Sequence, residues 1–222
     1  MGLLDLFRAG RVVMHVSRAV RRQRASAQAL RALPMAELVA RSLAGLHSEH
    51  ASWRATARPP RLDAAPLAAA RRLPAALAAF YAVCDGFEAS DDFPVRMLPM
   101  ADLRLGADHA PSPSAIVQAF WREHGNDSEQ EGCLAILPPD NLVALATDTA
   151  ESYLRPSALD LMLPIEPMAP HTFTLVLLAG LGDRLPAGAV LEFENGAATR
   201  YEDFAHWLAT RGTLFEMVGE AA

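Results

Sequence analysis

Five short apolar runs, Cys133 to Leu137, Leu142 to Thr147, Leu159 to Ile165, Phe173 to Leu178 and Ala189 to Phe193, divide the second half of this chain. Each is bounded by turn-forming residues and is too short for a helix with a buried face, so each predicts a strand. Pro138, Pro139, Asp140 and Asn141 separate the first two runs, a spacing that predicts a hairpin with a longer loop. Stretches of helical period precede and follow the series. That order specifies an α+β fold, a mainly antiparallel sheet with helices packed on one face.

The helical stretches have distinct signatures. From Met35 to about His50, Met35, Leu38, Val39, Leu43 and Leu46 recur at helical spacing and predict one buried face. His47 and His50 stand three apart at its end, where solvated helix-end histidines are expected because no third metal ligand lies nearby in sequence. Pro74 suits the first turn of a second helix, where its missing N–H costs nothing. Leu77, Phe80, Tyr81 and Cys84 make that helix's apolar stripe, and Gly86 is placed to stop it. Phe93 to Leu98 then reads as a strand, and Ser114 as the cap of a short helix carrying Val117, Phe120 and Trp121 on one side. Near the end of the chain, Thr199 and Glu202 are spaced as a capping box ahead of Tyr201, Phe204, Ala205 and Leu208.

Charge divides the chain. All 20 basic residues are arginine, and 13 of them lie in residues 1–72 against 4 acids, while residues 73–222 hold 7 against 22. A basic helical extension with a linker over residues 1–65, followed by an acidic α+β domain over 66–222, is the expected organisation. Between Leu3 and about Leu30, Arg8, Arg11, Arg18 and Arg22 gather opposite Leu6, Val13, Val16 and Val20. Such a helix covers an edge of its own domain or makes peripheral contact with an anionic membrane. Trp53 to Pro66, with Pro59-Pro60, is the expected linker. An acidic body disfavours nucleic acid and favours cationic protein partners through steering and contact.

Catalytic patterns are missing from the sequence. It has no GxSxG, no Walker glycine loop, no HExxH and no GxGxxG, and its two cysteines, Cys84 and Cys133, show no CxxC spacing. Both thiols are expected to be packed and free. Asp85, Glu88, Asp91 and Asp92 crowd together without the spacing or central glycine of a calcium loop. His124, His171 and His206 are scattered and read as surface or structural. The expectation is therefore a non-enzymatic protein with no cofactor and no metal. No apolar run approaches the roughly 18 residues that a membrane span needs, and Arg8 and Arg11 interrupt the N-terminus before a secretory core can form, so the expected compartment is the cytoplasm.

Leu73-Pro74, the helical Phe80-Tyr81, Asp85-Gly86, and Leu98-Pro99 followed by Leu103 resemble the opening signature of the SUKH superfamily, the Smi/Knr-like proteins. VLEFENGAATRYEDFAHWLA, from Val190 to Ala209, is similar to that family's closing strand and helix. The resemblance implies the same α+β plan. Many bacterial members are immunity proteins, so it also implies binding to a cognate toxin; a regulatory or scaffolding role on the same fold is the alternative. The chain departs from the pattern in having Asp85 where asparagine is usual, in lacking the usual tryptophan shortly before Leu73-Pro74, and in its N-terminal extension. Asp85, Phe87, Glu88, Asp91, Asp92 and Phe93 form the expected partner surface, acids around exposed aromatics facing a basic toxin domain.

Overall fold

A computed structural model describes residues 25–49, 52–91, 93, 95–124, 143–145, 152–154, 156–181, 185–194 and 197–213. The basic helix expected over 3–30 lies largely outside them; its last residues, 25–31, are helical. The fold is α+β. Helix α1 (Met35–Glu49), strand β1 (Ala55–Ala57), helices α2 (Ala64–Ala70) and α3 (Ala75–Val83), strand β2 (Phe87–Ala89) and helix α4 (Pro113–His124) come first. Strands β3 (Val143–Leu145) and β4 (Ser152–Leu154), the short helix α5 (Pro156–Leu159), strands β5 (Leu163–Pro164), β6 (Thr172–Val176), β7 (Val190–Glu194) and β8 (Ala197–Tyr201), and helix α6 (Phe204–Thr213) follow.

Strands β5 to β8 form an antiparallel sheet in sequence order, while β1 with β2 and β3 with β4 make separate antiparallel pairs. In β6 and β7 the ladder sets Phe173 opposite Phe193, Thr174 opposite Glu192 and Val176 opposite Val190. Alternation along a strand sends neighbours to opposite faces. Leu163, Val176, Val190 and Tyr201 thus join the main core, with Leu38 and Leu46 of α1, Leu77 and Phe80 of α3, and Phe204, Trp207 and Leu208 of α6. Phe173, Leu175, Leu191, Phe193 and Ala198 join a second core covered by Ile116 and Val117 of α4 and Leu159 of α5. Helices thus cover the second face as well, which suits strands apolar on both sides.

Several local expectations are corrected. Trp53 to Pro66 is not a bare linker: β1 pairs with β2, Arg58 N–H donates to the Gly86 carbonyl and Asp85 N–H to the Arg58 carbonyl. His47 is not a solvated helix end, since its Nε2 accepts the Ala55 N–H at 2.9 Å; His50 lies outside the described residues. The described residues of Phe93 to Leu98 are irregular, their bonds running singly to separate segments, such as Leu98 N–H to the Ile165 carbonyl. The first half of Leu159 to Ile165 ends a helix, leaving Leu163–Pro164 as strand. Ser114 binds Asp160 through its N–H and hydroxyl, while Ser112 Oγ accepts the Ala115 N–H. At the last helix β8 runs through Tyr201, so Thr199 is in a ladder and Asp203 caps instead, Oδ1 accepting the His206 N–H at 2.7 Å. The run Cys133 to Leu137, the hairpin loop and Cys133 itself lie outside the described residues; Cys84 is buried and free.

Residues 25–49, expected to belong to an extension, share the main apolar cluster. Arg31 reaches Glu202 at 2.5 Å and Asp203 at 2.6 Å, tying segment 25–31 to the start of α6. Helices α1 and α6 approach so closely that a Cβ on Gly45 would stand 2.4 Å from the Gly212 carbonyl oxygen, and one on Gly212 would stand 2.7 Å from Ser42 Cα. Glycine is unfavourable in a helix interior by about 1 kcal/mol relative to alanine, but at this crossing any side chain meets backbone. Gly45→Ala should therefore lower stability by about 1–3 kcal/mol in denaturant unfolding, overpacking outweighing the propensity gain. An alanine variant as stable as the parent would contradict the close crossing.

Candidate functional site

The expected partner surface divides into core and surface. Phe87 is 3% exposed and stands edge-on to Phe80, centroids 5.6 Å apart; Phe93 is 2% exposed and lies between His47 and Trp53. These rings are core, not exposed anchors, because the chain turns inward on both sides of the acidic segment. Glu88 is exposed opposite Thr56, and Asp91 is exposed, 3.9 Å from Arg96. Asp92 lies outside the described residues. Asp85 serves the fold, since its Oδ1 accepts the Met100 N–H at 2.8 Å. Tyr81 donates its hydroxyl to the Leu98 carbonyl at 2.8 Å, and burial pushes that phenol well above its ordinary range. Gly86, at φ +83°, passes under the Met97 and Leu98 carbonyls, where a Cβ would come within 2.6 and 2.8 Å. Helix α3, its glycine stop and the Leu98-Pro99 corner are therefore one joint. Cys84 within it is inert, its thiol pushed up to about 12 by burial.

A second constellation escaped sequence reasoning. Thr174 and Glu192 face the same side of the sheet as Val176 and Val190, toward α6. Glu192 is 4% exposed; it accepts the Tyr201 hydroxyl at 2.8 Å and pairs with Arg211 of α6. Glu166 accepts the Arg96 N–H at 3.0 Å and the Thr174 hydroxyl. Burial holds the Glu166 carboxyl above its ordinary range, against the pull of the Thr174 hydroxyl, the Arg96 amide and the Arg211 and Arg96 charges. Burial likewise lowers Arg211 and raises the Tyr201 phenol to about 12. Two acids and one arginine in this arrangement fasten α6 to the sheet. The Thr174 and Tyr201 hydroxyls that donate to these carboxylates are buried with them.

His206 is half-buried beside Glu202 and held below its ordinary value chiefly by burial. His171 is exposed next to Phe120, and the side chain of His124 lies outside the described set. Among the described residues no group of three or more His, Cys, Asp or Glu could hold a metal ion. Nor is any helix among them long and apolar enough to cross a membrane. No family model matches the chain, and no curated protein matches it.

The sign of the Glu166 effect is testable. A carboxyl whose folded pKa is raised contributes stability present below its ordinary value of 4.5 and lost as pH rises through the folded value. Glu166→Gln removes that loss while its one carbonyl oxygen still accepts the Arg96 N–H and its amide NH2 donates to the Thr174 hydroxyl, which turns to accept. The variant's melting temperature, compared with the parent's, should be relatively higher at pH 8 than at pH 4.5. A difference that is constant, or that favours the variant more in acid, would contradict a carboxyl strained by burial.

Proposed function

We propose that the chain is a non-enzymatic protein-binding module of the Smi/Knr-like plan, acting in the cytoplasm as an immunity protein that neutralises a cognate toxin by occlusion. The observation that carries this reading is the joint between Tyr81, Asp85, Gly86 and the Leu98-Pro99 corner. Two residues of the SUKH-like signature, Tyr81 and Leu98, are hydrogen-bonded to each other, and a third, Asp85, binds Met100 beside the same corner, which supports reading them together. An acidic body with 22 acids against 7 arginines supports a basic partner, since complementary charge speeds encounter more than it deepens affinity.

The contact surface in this reading is the exposed acid pair Glu88 and Asp91, next to the sequence position of Asp92, with Phe87 and Phe93 as core support beneath it. Glu88→Arg combined with Asp91→Arg should slow association with the cognate toxin of this reading about tenfold at low salt, and change fold stability by less than about 0.5 kcal/mol. Phe87→Ala should instead destabilise the protein by about 3–5 kcal/mol, as truncation of a core ring does. Protection of cells that express the toxin is the deciding assay. Failure of the unmodified protein to protect sinks the immunity reading. Undiminished association of the double reversal moves the interface away from these acids.

A further inference from the structure

We propose that the cleft between α4 and the loops at 109–111 and 168–171 binds a small apolar amine, its body held by the walls and its ammonium placed beside Glu123. The cleft measures about 330 Å³, within the range of small-molecule sites. Its base is the second core: Ile116 is buried there, Met168 packs against the same cluster, and Phe120 stands edge-on to Phe193 of the sheet at 6.1 Å. Alanines at 115 and 119 leave room above that base. Walls of this kind bind through buried apolar area and so take an apolar body.

Charge selects the head. Among the described residues Glu123, exposed on the last turn of α4, is the only acid that lines the cleft, and no arginine lines it. The neighbouring Arg122 turns back along the helix, its Nε donating to the Gln118 carbonyl at 3.2 Å, and no ion pair among the described residues engages Glu123. The other polar side chains of the lining are two imidazoles: His171 stands edge-on to Phe120 at 5.9 Å, and His109 keeps its Nε2 buried, out of the open space. The body from residue 73 onward, with 22 acids against 7 arginines, adds a negative field that raises the local concentration of cations. An ammonium therefore gains at this mouth and a carboxylate loses, each by the modest amount of an exposed charge pair. This binding is independent of any toxin partner.

The test is titration of the full chain at low salt, followed by NMR, with 4-phenylbutylamine, 4-phenylbutanol and 4-phenylbutyrate, which share one apolar body. The amine should bind with a dissociation constant of about 1 mM and shift resonances around residues 115–123 and 168–171. The alcohol should bind about threefold and the acid about tenfold more weakly, and added salt should draw the three together. Glu123→Gln, at an exposed position, should bring the amine to the level of the alcohol and leave the alcohol unchanged. Ala119→Trp, also exposed, should fill the cleft and abolish binding of all three. Binding of the acid as tight as that of the amine would overturn the proposal, as would absence of amine binding at about 10 mM, an undiminished preference for the amine in the Glu123→Gln variant, or unchanged binding by the Ala119→Trp variant.

Discussion

At the crossing of α1 and α6, Gly45 and Gly212 put backbone against backbone with no space for a side chain. Most of the remaining fold depends on that approach. It brings Leu38 and Leu46 against Trp207 and Leu208, all of them fully buried. It seats α6 so that Arg211 meets Glu192 on the sheet, and Arg31 closes the same edge through Glu202 and Asp203. The Arg31 guanidinium holds the Glu202 carboxyl below its ordinary range. The Glu192–Arg211 pair adds specificity of placement more than net stability, because desolvating two charges offsets most of their attraction. Packing supplies the energy and the buried pair sets the register of helix on sheet.

The joint at Leu98-Pro99 is the second fixed point. Tyr81 of α3 and Asp85, just past the end of that helix, bind Leu98 and Met100 on either side of Pro99, while Gly86 lets the backbone pass beneath the corner. Asp85 therefore works inside the protein. An acidic cluster read only as surface charge conflates this residue with Glu88 and Asp91, which face solvent. The distinction narrows the proposed contact surface to residues whose replacement leaves the fold intact.

What was legible in the sequence had a strong local period. Leu38, Val39, Leu43 and Leu46 announced α1, and Leu77, Phe80, Tyr81 and Cys84 announced α3, because each helix has one wet and one dry face. The runs that became β6 and β7 were visible as apolar blocks, yet their two-sided burial was not, since that depends on what covers each face. Strand β8, AATRY, carries little strand signal and forms because β7 offers a ladder; that ladder displaced the local cap from Thr199 to Asp203. Phe87 and Phe93 are core although the acids beside them in sequence suggest a wet loop. Glu166 and Glu192 were invisible as a pair because only the sheet register and the seat of α6 bring them to the same network.

The central claim is that α1 and α6 form one cooperative unit on the sheet. Native-state hydrogen exchange resolves it residue by residue. The amides of Leu46 and Leu208 should exchange with opening free energies equal to each other and to that of global unfolding. Exchange of the α1 amides at a clearly lower free energy, with α6 still protected, would show that α1 opens as a separate appendage and would contradict the account.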